Sequence, residues 1–306
     1  LAQWLVSQDN PLTARVFVNR QWAMFLGQGL VTTPEDFGTQ GSRPTHPALL
    51  DWLASDFIES GWDIKRLQRR ILLSATYRQT SRVTPEKLEI DPENKLYSRG
   101  PRYRLPSWMI RDQALAASGL LVDHIGGPPV KPYQPEGVWA DFSFGNKRYQ
   151  PDTGAALYRR SLYTFWRRII GPTMFFDASR RQSCVVKSAR TNTPLHALAT
   201  LNDVTYIEAA RALAERALNA SRDPKERIAH AFQWSTGRLP NHDEFDILMT
   251  RLERSIEAFS KAPAEAASLL AEGASKSGSD LDLVEHAAYT NICSLILNLD
   301  ETLSKQ

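Results

Sequence analysis

Apolar residues recur three and four positions apart through both ends of the chain, and that period commits most of it to helices packed by one face. Asn10-Pro11, a cap residue followed by proline, opens the first such stretch, which runs to Gly27. Leu12, Val16, Ala23 and Leu26 share one side of it, widened by Val18, Trp22 and Phe25. Arg15 and Asn19 fall four apart in the middle of that face. A charge there must be paired, so both are expected to be buried and structural, with Arg15 tied to a carboxylate or to carbonyls. Thr45 is expected to cap a helix that turns Leu49, Leu53 and Phe57 inward and stops at Gly61. Asp63 caps the next, with Ile64, Leu67 and Ile71 inward and Arg66, Arg69 and Arg70 forming a solvated basic face. A further helix is expected over about Ser107 to Ser118, before Gly119.

The other end reads the same way. Thr193-Pro194 opens a stripe of Leu195, Leu198, Ala199, Tyr206, Ala209, Leu213 and Ala217, and Asn202 sits within it as a third polar group aimed at the core. Tail helices are expected near residues 224–235, 242–259, 263–272 and 282–299, with the low-complexity run 273–279 as a short linker. The middle, residues 126–190, differs. Gly126-Gly-Pro-Pro with two further prolines before Gly137 cannot be helical. Residues 142–149 read as a hairpin around Gly145-Asn146, and the alternation over 161–166 reads as a short strand. The expected fold is mainly α: one compact multi-helix domain over 1–306, with N-terminal helices (1–125), an irregular middle (126–190), C-terminal helices (191–306) and a small central β element near 142–166.

Charge is distributed unevenly. Between Tyr158 and Arg190 stand Arg159, Arg160, Arg167, Arg168, Arg180, Arg181, Lys187 and Arg190 against one acid, Asp177, which is eight minus one, or +7. From Asn241 to the end, twelve acids face five bases, or −7, although the whole chain carries only +3. Either the two segments neutralise each other or the middle forms an anion-binding face. Arg159, Arg160, Arg180, Arg181, Cys184, Arg190 and Asn192 are the candidate ligand-binding residues. Cys184 has basic neighbours on both sides, which lowers a thiol's pKa and favours the thiolate; the competing reading is a small buried apolar residue.

Several function classes lack their residues. The six histidines show no pair at metal-ligand spacing, and no CxxC, CxxCH or HExxH occurs, so neither metal nor haem is expected in this domain. There is no nucleophile elbow, P-loop or dinucleotide fingerprint. No apolar run reaches the roughly 18 residues of a membrane span. With 42% hydrophobic and 23% charged residues the chain is an ordinary globular mixture, and its two cysteines cannot form a disulfide scaffold. It opens at Leu1 rather than Met and is expected to belong to a longer protein.

Asn10-Pro-Leu-Thr-Ala-Arg-Val-Phe-Val-Asn-Arg20, Gly29-Leu-Val-Thr-Thr-Pro-Glu-Asp-Phe-Gly38 and Thr45-His-Pro-Ala-Leu-Leu-Asp-Trp-Leu53 carry a family resemblance. It continues through Ser74-Ala-Thr-Tyr-Arg-Gln79, residues 126–133, 158–166 and 190–194, and ends at Leu297-Asn-Leu-Asp-Glu301. Over essentially its full length the chain resembles the planctomycete cytochrome-associated C-terminal domain of unknown function. The resemblance implies an extracytoplasmic location and a c-type-cytochrome-like domain, with its haem, elsewhere in the parent protein. It supplies no catalytic residues. Relatives usually carry glutamine at His196, an acid at Gln182 and Ala-Glu at Ser107-Trp108; an acid-plus-cysteine chemistry in them would be impaired here.

The expected function is an extracytoplasmic module that binds an anionic partner, such as an acidic or sulfated polysaccharide, through its arginine-rich middle. The alternatives are an enzyme acting on acidic glycans around Asp177–Asn192 and a docking partner of the cytochrome-like domain. The implied compartment argues against nucleic acid.

Overall fold

The computed structural model describes all residues except 142–144, 146–147, 168–169, 179–183, 188–189, 277, 279 and 306. The chain is 54% helical, with fourteen α-helices and one two-stranded antiparallel sheet among the described residues, in agreement with the mainly-α reading. It divides into two compact units. One comprises Leu1–Tyr103 with the described residues of 184–188 and Lys305, the other the remainder.

In the first unit, α1 (Ala2–Leu5), α2 (Thr13–Leu26), α3 (Pro47–Glu59), α4 (Ile64–Leu73) and α5 (Pro85–Ile90) follow in order. The Asn10 carboxamide accepts from the Leu12 and Thr13 amides and starts α2, and Gly27, with φ 80°, ends it. The buried face of α2 is Ala14, Val18, Trp22 and Leu26, spaced by four, together with Asn19. It packs on Leu50, Leu53, Ala54 and Phe57 of α3, on Leu67 and Ile71 of α4, and on Tyr97. Phe17 stacks on Phe57 at 5.0 Å, and Trp22 meets Tyr97 edge-on at 5.4 Å. Thr45 does not cap α3. Its hydroxyl instead donates to the Leu30 carbonyl, and His46 and Pro47 begin the helix. Asp63 does cap α4, accepting from the Arg66 amide.

Arg15 is a correction. It lies at the rim of α2, its side chain 37% exposed, pairing at 2.7 Å with Asp51, itself 57% exposed, and donating to the Pro11 carbonyl. The phase that buries Ala14, Val18 and Trp22 turns position 15 away from the core, and Leu12 with it. Asn19 is fully buried: its Nδ2 donates to the Val31 carbonyl at 3.0 Å and its Oδ1 accepts from the Val31 amide at 2.8 Å.

The second unit holds α6 (Ser107–Ser118), α7 (Val138–Asp141), α8 (Pro194–Asn202), α9 (Val204–Ala220), α10 (Pro224–Thr236), α11 (His242–Lys261), α12 (Pro263–Leu270), α13 (Leu283–Leu297) and α14 (Asp300–Leu303). Its core is the contact of α9 with α13, where Ala209, Ala210, Leu213, Ala214 and Ala217 meet Ala288, Ile292, Cys293 and Ile296. Small residues along this seam let the two backbones come close. The helix expected from Thr193 through Ala217 is broken at Asp203, whose extended backbone (ψ 135°) separates α8 from α9 and whose carboxylate caps α9 through the Thr205 amide. The break resets the phase. The face α8 buries is His196 and Thr200, while Leu195 and Leu198 are 72% and 57% exposed. Asn202 is therefore exposed rather than in the core, with its Nδ2 donating to Leu198 one turn back.

The paired strands, β1 (Tyr103–Arg104) and β2 (Ser304–Lys305), are not in the middle segment. The hairpin expected over 142–149 falls largely outside the described residues. The strand expected over 161–166 is a 3₁₀ turn, Ser161–Tyr163, followed by one parallel bridge between Val130 and Thr164; a second bridge joins Val122 to Arg159. Side chains replace a ladder here. The buried Arg111 guanidinium donates to the carbonyls of Leu157 and Arg159 and to the Ser161 hydroxyl, and Asp112 accepts from both the amide and the hydroxyl of Ser161.

Candidate functional site

Arg104 stands in β1, three residues ahead of α6. The first helical residue, Ser107, presents its amide and its hydroxyl to one oxygen of Asp177, at 3.2 and 2.7 Å. A carboxylate is favoured at a helix N-terminus, where unpaired amides leave partial positive charge. This cap fixes the Phe176-Asp177 turn beside Arg104, whose guanidinium lies over the Phe176 ring at 5.9 Å. The other neighbour of that ring is His196, in the first turn of α8, stacked at 4.2 Å. Just ahead of α8, the exposed Asn192 accepts from Nη1 of Arg104 at 2.8 Å. Three segments far apart in sequence thus converge on one guanidinium.

Among the described residues, only Nη1 of Arg104 has a protein acceptor. Nε and Nη2 are buried with no hydrogen-bond partner. These two nitrogens form one edge of the fork, and their N–H bonds run parallel, the geometry that takes both oxygens of a carboxylate, sulfate or phosphate. Burial pushes the Arg104 pKa down, against the pull of Asp177, Tyr206 and Asp300. An arginine still keeps its charge, so the edge is a cation with two undirected donors in a partly desolvated place. Nearby buried polar atoms share this condition: Nδ1 of His196 and the hydroxyl of Tyr206 have no partner, and burial raises the Tyr206 pKa.

The residues expected to bind a ligand have different settings. Arg159 is buried, and its guanidinium donates to the carbonyls of His124, Gly126 and Pro128 while lying 3.9 Å from the Tyr163 ring centre. It braces the Gly-Gly-Pro-Pro loop, and three carbonyls leave it little capacity for a ligand. Arg160 is exposed. Arg180 and Arg181, like Arg168, lie outside the described residues. Arg190 and Asn192 are exposed in the second unit; Cys184 is exposed and groups with the first, so it is not the buried apolar residue of the competing reading. Of the described members of the expected set, Asn192 is the one that bonds Arg104. Sequence reasoning placed one alternative at Asp177–Asn192, which brackets part of the cluster, but it missed Arg104, Ser107, Phe176 and Tyr206. No spacing rule links those positions; the marks on the sequence were His196 and Ser107 as departures from relatives.

Among the described residues no three His, Cys, Asp or Glu side chains gather at metal-binding distance, and no helix is long and apolar enough to cross a membrane. A family model described as PSD1, protein of unknown function (DUF1553), matches residues 1–252. No curated protein and no solved structure matches the chain.

Proposed function

Since the chain belongs to the PSD1 family of proteins of unknown function (DUF1553), whose description assigns no activity, we propose a function from the site itself: a binding module for the carboxylate or sulfate groups of an acidic polysaccharide or similar anionic partner, with Arg104 as the primary contact. One observation carries this reading: the parallel Nε and Nη2 donors of Arg104 are buried without an acceptor, while Asn192 holds the opposite side of the fork. Leaving charged donors unpaired costs free energy that a bound anion would recover. Arg160 and Arg190, exposed in the same unit, add positive charge for a polymer. The extracytoplasmic setting and the cytochrome-like neighbour belong to this proposal through the resemblance of the sequence.

The test is affinity for a sulfated and a carboxylated polysaccharide at low salt and again as salt rises. Arg104→Lys retains the charge and removes the fork. It should weaken binding by about tenfold or more, as expected for loss of a bidentate pair of roughly 1.4 kcal/mol or above. Equal affinity of Arg104→Lys and the parent chain, or no binding at low salt, would refute the reading. The enzymatic alternative draws on the gathering of Asp177 and Asn192 around Arg104. Asp177, however, is engaged as the cap of α6. Release of shortened saccharide on incubation would favour that alternative over binding alone.

A further inference from the structure

The first unit contains a cavity of about 540 Å³ lined mainly by polar residues, none of them among the candidates that the sequence singled out. Three arginines, Arg82, Arg99 and Arg102, are among its lining residues, against a single acid, Glu93. That carboxylate is already paired with Lys95 at 2.5 Å. The lining therefore carries a positive excess.

Its wall is an irregular loop held in place at many points. The buried Asp91 carboxylate accepts from the amides of Lys95 and Leu96 at 2.7 and 2.9 Å. Asn94 bonds both the amide and the carbonyl of Arg99 through its side chain. Arg99, itself buried, donates to the carbonyls of Asp91 and Pro92 at 2.7 and 2.9 Å. Asn94 and Tyr97 have φ of 53° and 55°, left-handed values that disfavour residues with a Cβ. Across the cavity, Gly100 lies so close to the 79–81 backbone that a Cβ there would collide with the Gln79 carbonyl. Strain of this kind persists where surrounding bonds over-determine it, and it concentrates at binding sites. Arg99 spends both terminal nitrogens on the wall and contributes its charge. Arg82 and Arg102 sit at exposed positions on the rim.

We propose that this cavity is a second binding site, independent of Arg104, for a small hydroxyl-rich molecule carrying a phosphoryl or sulfo group. The charge of the lining and the planar guanidinium of Arg82 select a tetrahedral oxyanion. The volume falls in the range of small-molecule sites and is far larger than a bare oxyanion needs, so the group arrives on an organic body. Only Val83 and Pro92 offer apolar side chains to that body, which disfavours an acyl or aromatic one and suits a sugar.

Calorimetric titration of the whole chain at low ionic strength separates the possibilities. Inorganic phosphate, inorganic sulfate, glucose 6-phosphate and glucose 6-sulfate are the probes, with glucose as the neutral control. At least one sugar ester should bind more tightly than its inorganic ion, and glucose should not bind. Whichever ester wins identifies the oxyanion. The double variant Arg82→Gln/Arg102→Gln should lose about tenfold in affinity with an unchanged melting midpoint, since both side chains are exposed; Arg104→Lys should leave this affinity alone. The proposal fails if neither ester binds the parent chain, if glucose binds as well as the esters, or if the double variant binds like the parent. It fails equally if Arg104→Lys, rather than the double variant, abolishes binding.

Discussion

Asn19 and Arg15 occupy the same helix four residues apart, and their energetic weights are opposite. Asn19 satisfies both backbone groups of Val31 from a fully buried position, and Gly29 is kept side-chain-free beside it, because a Cβ there would fall 2.6 Å from Asn19 Oδ1. Asn19→Leu leaves a buried amide and a buried carbonyl unpaired and should cost roughly 2–4 kcal/mol in urea unfolding. Arg15→Ala removes a solvent-exposed ion pair with Asp51 and an exposed hydrogen bond to the Pro11 carbonyl, so the loss should stay within about 1 kcal/mol. Equal losses in the two variants would contradict this division. The cysteines divide in a similar way. Neither is disulfide-bonded; Cys184 is exposed, whereas Cys293 is buried in the α9–α13 seam and burial raises its thiol pKa. A thiol-specific reagent should label one cysteine quickly in the native chain and the second only on denaturation, and fast labelling at Cys293 would show that the seam opens.

At the scale of elements, the signals that act locally were legible in the sequence. Asn10, Asp63 and Pro194 do start helices, and Gly27 and Gly119 end them with left-handed backbone. The misreadings arose where a local rule met a tertiary one. The α8–α9 stripe looked continuous because the apolar spacing survives Asp203, yet Asp203 both ends α8 and caps α9. Asp203→Ala should lower stability by roughly 0.5–2 kcal/mol, the usual weight of such a cap. Leu198→Lys, on the exposed face, should change it by no more than about 0.5 kcal/mol. If the stripe were one buried face, Leu198→Lys would be the damaging change. The arginine-rich middle was legible only as charge, and its members divide: Arg160 and Arg190 are exposed, Arg159 is buried. Composition counts charges but cannot say which ones carbonyls will absorb, and Arg159 is absorbed while Arg104, outside the cluster, keeps an unpaired edge. The candidate site joins residues 104, 176–177 and 192–196, a juxtaposition that only the folded backbone creates.

For the molecule as a whole, four titrations bound the pH range of stability. His286 is buried in α13 with Nε2 against the Arg211 carbonyl at 3.2 Å; burial lowers its pKa, a trend that Arg211's charge reinforces and that its carbonyl and Glu215 oppose. The unfolded chain therefore binds a proton at His286 before the folded chain does, and stability falls as pH drops through the ordinary histidine value of 6.5. Glu244 is held below its ordinary 4.5, chiefly by hydrogen bonds from Arg238, which also pairs with Glu301. Its contribution is present above 4.5 and is lost as pH falls further, giving a second acid step. On the alkaline side burial pushes Tyr97 up to about 12 from 10. The unfolded chain releases that proton first, so stability declines as pH rises from 10 toward 12. The buried Cys293 thiol, raised from its ordinary 9.0, acts in the same sense from a lower pH, so the expected profile of unfolding midpoint against pH is a plateau between about 7 and 9 with a shallow acid limb starting near 6.5 and a steeper one below 4.5. His286→Gln should flatten the shallow limb and leave the steep one in place. Should the shallow limb persist in that variant, some other group takes up the proton, and the buried neutral imidazole is not the origin of the acid sensitivity.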